Sequence, residues 1–159
     1  MAKIIKLTKN LETIVDDHLF DELNSFNWHV DADGYVVRNS SRKDFGSRKK
    51  LLMHREILKV SGAVLVDHLN HNILDNRTEN LRVADFSQNQ ANKLKQPGKS
   101  SIYKGVSYNK KNHKWEAHCT KDQKKYSLGY HLTEVEAALA YNIKAKEFFG
   151  EFALLNQIK

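Results

Sequence analysis

The sequence predicts an α+β protein in which small sheets pack against short helices. Short β-branched or alternating runs recur along the chain between turn residues, and apolar residues at helical spacing occupy a few separate segments. The 159 residues are 40% hydrophobic and 28% charged, which is the composition of an ordinary globular protein with a buried core. A chain of this length fits one medium domain or two small ones.

A helix, a hairpin and a strand that continues into a helix are expected in the first part of the chain. Apolar spacing within residues 16–26 predicts a short amphipathic helix. Strand-like segments follow at residues 26–30 and 35–39, and Gly34 between them supplies the positive φ of a hairpin loop. Residues 51–58 predict a strand that runs into a short helix.

Two short strands and a helix are expected in the middle of the chain. Residues 64–66 and 81–83 are short β-branched runs joined by a long connection rich in Asn and Asp. Asp85 or Ser87 can cap the helix that follows, with residues 88–93 in its first turns.

The best linker candidate is the polar segment at residues 95–101, which contains the only proline, Pro97, next to a glycine. It predicts a first domain over residues 1–96 and a second over residues 97–159. Three strand-like segments follow the linker, at residues 102–108, 115–120 and 125–130.

The last predicted element is a helix. Thr133 with Glu136 three residues later forms a capping box, and Gly150 is placed to end the helix in the left-handed conformation. Small residues on one side of this helix allow it to lie close to a sheet. The second domain is therefore expected to be a three-stranded antiparallel sheet packed on one C-terminal helix.

The charge of the chain favours a polyanionic partner. The formal net charge is +7, and the excess of lysine and arginine lies mainly in residues 34–66 and 93–125, on either side of a segment rich in Asp, Asn and His. This pattern suits a protein that grips a polyanion at two places. The alternative is that the lysines only solvate loops.

Composition excludes several classes of protein. The single cysteine, Cys119, cannot close an internal disulfide, and no Cys-x-x-Cys pair is present for a thiolate zinc site. No apolar run approaches the roughly 20 residues that cross a bilayer, and residues 1–7 are too short and too rich in lysine for a signal peptide. We therefore expect a cytoplasmic, intracellular protein with no membrane partner.

Polar side chains are expected to converge where the two central strands meet the next helix. Asp67 and His68 end the first strand, Asn80 precedes the second, and Asn89 lies on the helix. Carboxylate and carboxamide oxygens suit Mg²⁺ or Mn²⁺ better than Zn²⁺, and a neutral imidazole can take a proton from water. This combination indicates hydrolysis at a phosphate. Taken singly, each residue has a simpler explanation, because a lone His is commonly a surface or core residue and loop Asn commonly caps a turn.

Together these residues closely resemble the HNH endonuclease family, in the branch where asparagine replaces the last histidine. The central motifs are Asp67-His68-Leu69-Asn70, Leu74-Asp75-Asn76-Arg77, Glu79-Asn80-Leu81-Arg82 and Gln88-Asn89-Gln90-Ala91-Asn92. Upstream pieces resemble phage and mobile-element members, namely Ile5-Lys6-Leu7-Thr8, Val15-Asp16-Asp17, Trp28, Gly34-Tyr35 and Met53-His54-Arg55. The resemblance covers residues 5–93.

The resemblance implies a ββα-metal fold, with its core at about residues 63–93, and a role for each matched residue. Asp67 and Asn89 would hold one divalent metal ion per active site, with Mg²⁺ preferred and Mn²⁺ the alternative. His68 would be the general base for water. Asn80 would brace the strand-to-helix geometry and orient His68.

His71 departs from the pattern of the family, because related sequences usually place glycine there. A side chain in the left-handed region costs about 1 kcal/mol, although histidine tolerates that region better than most residues. We expect His71 to face solvent or a phosphate and not to serve as a third metal ligand.

The sheet of the second domain is expected to have one polar, basic face. Alternation along residues 115–120 places Trp115, Ala117 and Cys119 on one side and leaves Glu116, His118 and Thr120 on the other. With the apolar side covered by the last helix, the free face can enter a major groove.

This segment resembles the plant ethylene-response-factor (APETALA-type) DNA-binding domain over residues 101–156. The matching motifs include Tyr103-Lys104-Gly105-Val106, Lys114-Trp115-Glu116-Ala117, Leu128-Gly129-Tyr130 and Ala153-Leu154-Leu155-Asn156. The positions expected to contact DNA are Lys104, Ser107, Asn109, Lys114, His118, Thr120, Lys125 and Ser127. Arginine, which pairs bidentately with guanine, is absent from them, so phosphate contacts are expected to dominate.

The sequence therefore predicts a metal-dependent DNA endonuclease of the homing type, which nicks or cleaves double-stranded DNA as a monomer or a transient dimer. Residues 97–159 would be a separable clamp, so that truncation at Gln96 leaves weak nicking. The alternative is a catalytically inactive DNA-binding transcription regulator on the same scaffold, which the joint presence of all four site residues argues against. RNA binding fits the charge but lacks an aromatic stacking platform.

Overall fold

The computed structural model describes residues 1–41 and 46–158, and the chain divides into two compact units, Met1–Val83 and Ala84–Lys159. Each unit combines short helices with small sheets, so the predicted α+β class is confirmed. Within the described residues, no helix is both long enough and apolar enough to cross a membrane.

The boundary between the units falls earlier than the polar linker predicts. The division follows Val83, whereas the expected first domain extends to residue 96. The helix that carries Asn89 therefore belongs to the second unit.

The first unit begins with an antiparallel hairpin that the sequence analysis did not predict. Strand β1 (Ala2–Lys6) pairs with β2 (Glu12–Asp16), and Lys9 turns the chain between them at φ 63°. Ile5 and Val15 are fully buried. Only one position of β1 is buried, so the alternation is too short to predict a strand.

The core of the first unit forms around Trp28. Helix α1 (Phe20–Asn24) follows a 3-10 turn at Asp17–Leu19, inside the segment that was predicted to be helical. The indole Nε1 of Trp28 donates to the carbonyl of Leu23 at 2.7 Å. The other buried residues of this cluster are Ile5, Leu7, Val15, Val36 and Met53.

A three-stranded antiparallel sheet contains the predicted hairpin. Its strands, in spatial order, are β3 (His29–Val30), β4 (Val36–Asn39) and β5 (Lys50–Leu52). Gly34 lies in the β3–β4 loop at φ 89°, as expected for the residue that supplies a positive φ. Arg42 and Lys43, which belong to the lysine- and arginine-rich residues 34–66, lie outside the described residues.

Helix α2 (Met53–Ile57) directly follows β5, so the predicted strand-to-helix segment is confirmed. Two side chains of α2 attach it to its surroundings. Arg38 donates to Glu56 at 3.0 and 2.8 Å, and Arg55 donates to the carbonyl of Val64. These bonds fix α2 on both sides.

Strands β6 (Leu65–His68) and β7 (Leu81–Ala84) form a two-stranded sheet, and helix α3 (Phe86–Asn92) follows. Asp85 caps α3, because its side chain accepts the backbone N–H of Gln88 at 2.7 Å. Strand, strand and helix therefore occur in the predicted order. Their ββα-metal arrangement stays a prediction.

The second unit contains the predicted three-stranded antiparallel sheet. Its strands are β8 (Val106–Asn109), β9 (Lys114–Lys121) and β10 (Lys124–His131), with β9 in the centre. The register of β10 against β9 shifts between Ser127 and Tyr130, which indicates a β-bulge or similar irregularity in this pair. Strand β8 is also shorter than the predicted segment 102–108.

Helix α4 (Glu134–Phe149) begins at the predicted capping box, in which Thr133 and Glu136 bond to each other's backbone N–H groups. Gly150 ends the helix with a positive φ of 53°, as expected, but its ψ of −123° differs from the left-handed helical value.

Small residues let α4 lie close to the sheet. Ala137, Ala138 and Ala145 are fully buried beneath it. Gly105, at φ 73°, meets α4 so closely that an added Cβ would stand 2.0 Å from Cδ2 of Tyr141 and 2.6 Å from the carbonyl oxygen of His118. The close approach requires glycine at this position.

Helix α3 is anchored within the second unit. Ala91 belongs to a buried cluster formed with Cys119, Tyr141, Ala145 and Phe149. The hydroxyl of Ser87 donates to the carboxylate of Asp122 at 2.9 Å and accepts the backbone N–H of the same residue at 2.8 Å. The helix therefore packs with residues downstream of the linker.

Candidate functional site

A compact loop follows strand β6 and is closed by asparagine side chains. The backbone N–H of Asn72 donates to Oδ1 of Asn70 at 2.9 Å, and that of Leu74 donates to Oδ1 of Asn72 at 3.1 Å. His71 lies between them at φ 61° and is half-buried. The left-handed conformation considered for this position is thus present, in a residue type that tolerates it.

Asn80 attaches this loop to the start of β7. Its Oδ1 accepts the backbone N–H of Asn70 at 3.0 Å, and its Nδ2 donates to the carbonyl of Asp75 at 2.7 Å. Its own carbonyl accepts the N–H of Leu69 at 2.9 Å. Asn80 therefore bonds to both residues that directly follow His68, which is the geometry a bracing residue needs.

Asp75 is a second fixed point of the loop, although the sequence analysis assigned it no function. Its buried carboxylate accepts from Nε and Nη2 of Arg77 at 2.9 and 2.7 Å and from Nδ2 of Asn70 at 2.9 Å. The hydrogen bonds from Arg77 hold the pKa of Asp75 below its ordinary value. This carboxylate is ionised at neutral pH and is used to fix the loop.

The loop also attaches to strand β2. The backbone N–H of Ile14 donates to the carbonyl of Leu74 at 2.9 Å, and the N–H of Asn76 donates to the carbonyl of Ile14 at 2.8 Å. Oδ2 of Asp16 accepts from the N–H and the hydroxyl of Thr78 at 2.8 and 2.6 Å. The N-terminal hairpin therefore supports the candidate site.

Asp67, the predicted metal ligand at the end of β6, is 8% exposed and forms an ion pair with Arg82 of β7. Nε and Nη2 of Arg82 donate to its Oδ2 at 3.0 and 2.8 Å. A buried carboxylate is costly without such a partner. Arg82 was recognised only as part of a motif, because no local pattern shows which side chain faces it across the sheet.

Asp67 is the carboxylate of the first unit that the sequence predicts to hold a metal ion, and its metal binding stays a prediction. Among residues 1–41 and 46–158, no group of three or more His, Cys, Asp or Glu side chains could hold a metal ion. Mg²⁺ needs no such cage, since it binds through one or two carboxylates while water and substrate phosphates complete its shell. Asp67 supplies a carboxylate of this kind.

His68, the predicted general base, is buried and its imidazole is neutral at pH 7. Its side chain is 5% exposed, and burial lowers the pKa of the imidazole, although the Asn76 side chain and the carboxylates of Asp67 and Asp75 act in the opposite direction. The ring is therefore neutral at pH 7, which a general base requires.

Two aromatic rings surround His68. The ring centroid of His54 lies 5.2 Å from that of His68 at an interplanar angle of 84°, and the ring of Tyr35 lies 6.3 Å away at 37°. Burial lowers the pKa of His54 to about 4. Both residues were recognised within motifs but received no function from the sequence, since their distance from His68 is set by tertiary packing.

Comparison with known proteins decides the family. The chain is 34% identical over 142 residues to an uncharacterized HNH endonuclease of Acanthamoeba polyphaga mimivirus, a match that covers 86% of this chain and 70% of that protein. This chain belongs to the HNH endonuclease family. No family model and no solved structure matches it. The HNH resemblance is thus confirmed, and the resemblance of residues 101–156 to the ethylene-response-factor domain stays a prediction.

In this HNH endonuclease the other predicted metal ligand, Asn89, lies on α3 in the second unit. It is half-buried, and its backbone N–H donates to the carbonyl of the cap residue Asp85 at 3.0 Å. Its part in metal binding stays a prediction.

The sheet of the second unit brings most of the predicted DNA-contacting residues of this HNH endonuclease onto one face. Cross-strand partners share a face of a sheet. The partners on the polar face are Lys125 with Thr120, Ser127 with His118, Asn109 with Lys114 and Ser107 with Glu116. Ala117 and Cys119 are buried on the opposite face. The predicted alternation is therefore confirmed.

Several polar groups of this face already have partners. Nζ of Lys125 donates to Oε1 of Glu116 at 3.0 Å, and Oδ1 of Asn109 accepts the backbone N–H groups of Lys111 and Asn112 at 3.0 and 3.1 Å. Exposed ion pairs are weak, so Lys125 can exchange its partner for a phosphate. Asn109 closes the β8–β9 turn, so its Oδ1 is already engaged within the protein.

Lys104 has a position different from the predicted one. Its Nζ donates to the carbonyls of Gln90 and Lys93 at 3.1 and 2.6 Å, and also to that of Ala91. A cation at these carbonyls satisfies acceptors that the end of α3 leaves unpaired. The structure therefore places Lys104 at the C-terminus of α3, where it serves as a cap.

Proposed function

We propose that the protein is a metal-dependent endonuclease of the homing type, which hydrolyses phosphodiester bonds of double-stranded DNA. One observation carries the proposal: in a chain of the HNH endonuclease family, the buried pair Asp67 and His68 ends a strand whose following loop is held by Asn80. This geometry supports the assignment of His68 as a general base and of Asp67 as a hard oxygen ligand beside it.

His68 takes a proton from the attacking water in this proposal, because its ring is neutral and sits on a braced strand end. Asp67 and Asn89 would hold one Mg²⁺ or Mn²⁺ ion. The ion, when bound, supplies a positive charge that stabilises the phosphate in the transition state. Asn80 orients His68 through its bonds to the two residues that follow it.

The polar face of the second sheet would bind the DNA, in the manner of the ethylene-response-factor domain. Lys114 and Lys125 are exposed there and carry the charge needed for phosphate contacts. A single active site per chain cuts one strand in each encounter, so a double-strand break would need a transient dimer or a second encounter.

Nicking of supercoiled plasmid by the purified protein tests the proposal. We expect nicked product with Mg²⁺ or Mn²⁺ and none with excess chelator. His68→Ala should lower the rate by about 10²- to 10⁴-fold, since it removes a positioned general base. DNA affinity, measured by filter binding, should change little.

His71→Ala is the matched control, because His71 lies three residues after His68, in the loop that follows β6, and has no proposed role in the chemical step. It should nick at nearly the wild-type rate. Cleavage in excess chelator would contradict the metal requirement, and wild-type nicking by His68→Ala would refute the general base. Binding of DNA without any cleavage would instead favour a regulator on this scaffold.

A further inference from the structure

Helix α2 presents a histidine, His54, that the proposed function does not use. Its side chain is 5% exposed, and it packs edge-on against His68 with centroids 5.2 Å apart. Tyr35 packs against it on another side at 5.3 Å and 60°, and also contacts the ring of His68. The three rings form one cluster, in which each restricts the rotation of the others.

The segment of α2 that carries His54 is held in place by its neighbouring residues. Its neighbour Met53 is fully buried, and the next two residues of α2 are held by other elements. Arg55 donates to the carbonyl of Gly62 at 2.9 Å, while Glu56 accepts from Arg38 at 2.8 Å. A ring fixed in this way can hold a neighbouring ring, because both its backbone and its helix resist movement.

The Nδ1 atom of His54 does not explain its burial. Its Nδ1 is enclosed and has no hydrogen-bond partner among residues 1–41 and 46–158. Burial also keeps the pKa of His54 at about 4, so the ring adds no positive charge beside His68 at pH 7. The packing of its ring is therefore the contribution that its contacts with His68 and Tyr35 support.

We propose that His54 is a positioning residue of the endonuclease, whose ring, together with that of Tyr35, holds the imidazole of His68 in the orientation for proton transfer. The inference rests on the proposed function of His68 as the general base. Small displacements of a reacting group can lower a rate about 10²-fold. Loss of the His54 ring should therefore lower the rate of the cleavage step.

Three variants distinguish the effect of the shape of the His54 ring from the effects of its polarity and of protein stability. His54→Ala removes the ring, and His54→Phe keeps a ring without nitrogen atoms. Leu23→Ala is the stability control, because Leu23 is equally buried in the same unit but lies in the core cluster around Trp28. For each, the single-turnover nicking rate with excess protein, the DNA dissociation constant and the melting temperature are measured.

His54→Ala should lower the single-turnover rate about 10- to 100-fold with a dissociation constant within about twofold of wild type. His54→Phe should recover the rate to within about threefold. Leu23→Ala should lower the melting temperature but leave the rate of the folded protein unchanged. A wild-type rate for His54→Ala would overturn the inference, and so would an equal loss in His54→Phe, since polarity would then matter and not shape.

The ring protons of His68 supply a test that needs no cleavage. In wild-type protein the nearby rings should shift their NMR resonances, and His54→Ala should move them toward random-coil positions while His54→Phe does not. Unchanged resonances in His54→Ala would overturn the inference. His68→Ala separates the two proposals: if it nicks normally, the general base is wrong, whereas a dead His68→Ala with a fully active His54→Ala refutes only the positioning role.

Discussion

Two neighbouring imidazoles, those of His54 and His68, are kept neutral mainly by burial and not by a charged partner. Burial removes the water that would stabilise the imidazolium form. The free energy of unfolding therefore depends on pH through these residues, because the two histidines bind protons more tightly in the unfolded chain than in the folded chain.

For His54 the direction and the range can be stated. Its pKa falls from 6.5 to about 4 on folding, so its stabilising contribution is complete above pH 6.5 and is lost as the pH falls toward 4. This loss is about 3 kcal/mol at one pKa unit per 1.36 kcal/mol. Urea unfolding of wild type and His54→Phe between pH 7 and 4.5 measures it.

We expect the free energy of unfolding of wild type to fall more steeply with acid than that of His54→Phe, which has no group to protonate there. Parallel curves for the two proteins would show that His54 binds its proton equally well in both states.

Single residues also show what the sequence could reveal of the site. Asp67, His68 and Asn80 were found because they stand in a motif at element ends, where polar side chains are unusual. His54 and Arg82 also stand in motifs, but the sequence assigned them no role at the site, since each reaches it by packing or pairing with a segment distant in sequence.

At the scale of elements, the sequence predicted features that depend on neighbouring residues but missed those that depend on contacts distant in sequence. The capping residues Thr133 and Asp85 start helices where the sequence placed them, because a cap depends on only four consecutive residues. The β1–β2 hairpin was missed, since only one position of β1 is buried and β2 is also held by hydrogen bonds to a loop that is distant in sequence.

Lys104 gives a prediction at this scale. Lys104→Met keeps the aliphatic stem but removes the cation from the last carbonyls of α3, so the free energy of unfolding should fall by about 1–2 kcal/mol. Amide hydrogen exchange in α3 should become faster. Chemical denaturation and exchange measured by NMR provide both readouts.

Lys110→Met is the control, because Lys110 is an exposed lysine of the β8–β9 turn. It should leave stability and exchange unchanged. Unaltered stability of Lys104→Met together with weaker DNA binding would return Lys104 to the phosphate contacts that the sequence predicted.

At the scale of the whole molecule, DNA binding should depend on salt through the polar face of the second sheet. Lys114→Ala and Lys125→Ala should each flatten the slope of log affinity against log salt by about 0.9, the contribution of one phosphate contact. Filter binding across a salt series measures the slope. Lys146→Ala, a charge change on α4, should leave it unaltered, and equal slopes for all variants would assign the sheet another function.

Truncation after Gln96 tests whether the second unit is a detachable clamp. The shortened chain keeps Asn89 but loses the Lys104 cap and the cluster that buries Ala91. A helix as short as α3 is not stable alone. We therefore expect nicking and DNA affinity to be lost together, in contrast to the weak residual nicking that the linker suggested. Metal-dependent nicking by the truncated protein at high concentration would contradict this.

The division of the chain after Val83 determines where two related genes can recombine without destabilising the protein. Recombination of two genes at the polar segment 95–101 would combine α3 of one protein with the sheet of another. Helix α3 would then lose the lysine that caps it and the core residues that bury it. A crossover near Ala84 would transfer helix and sheet as one piece. Recombinant proteins joined near Ala84 should therefore be more stable than those joined within residues 95–101, since α3 then keeps the residues that bury Ala91 and cap its end.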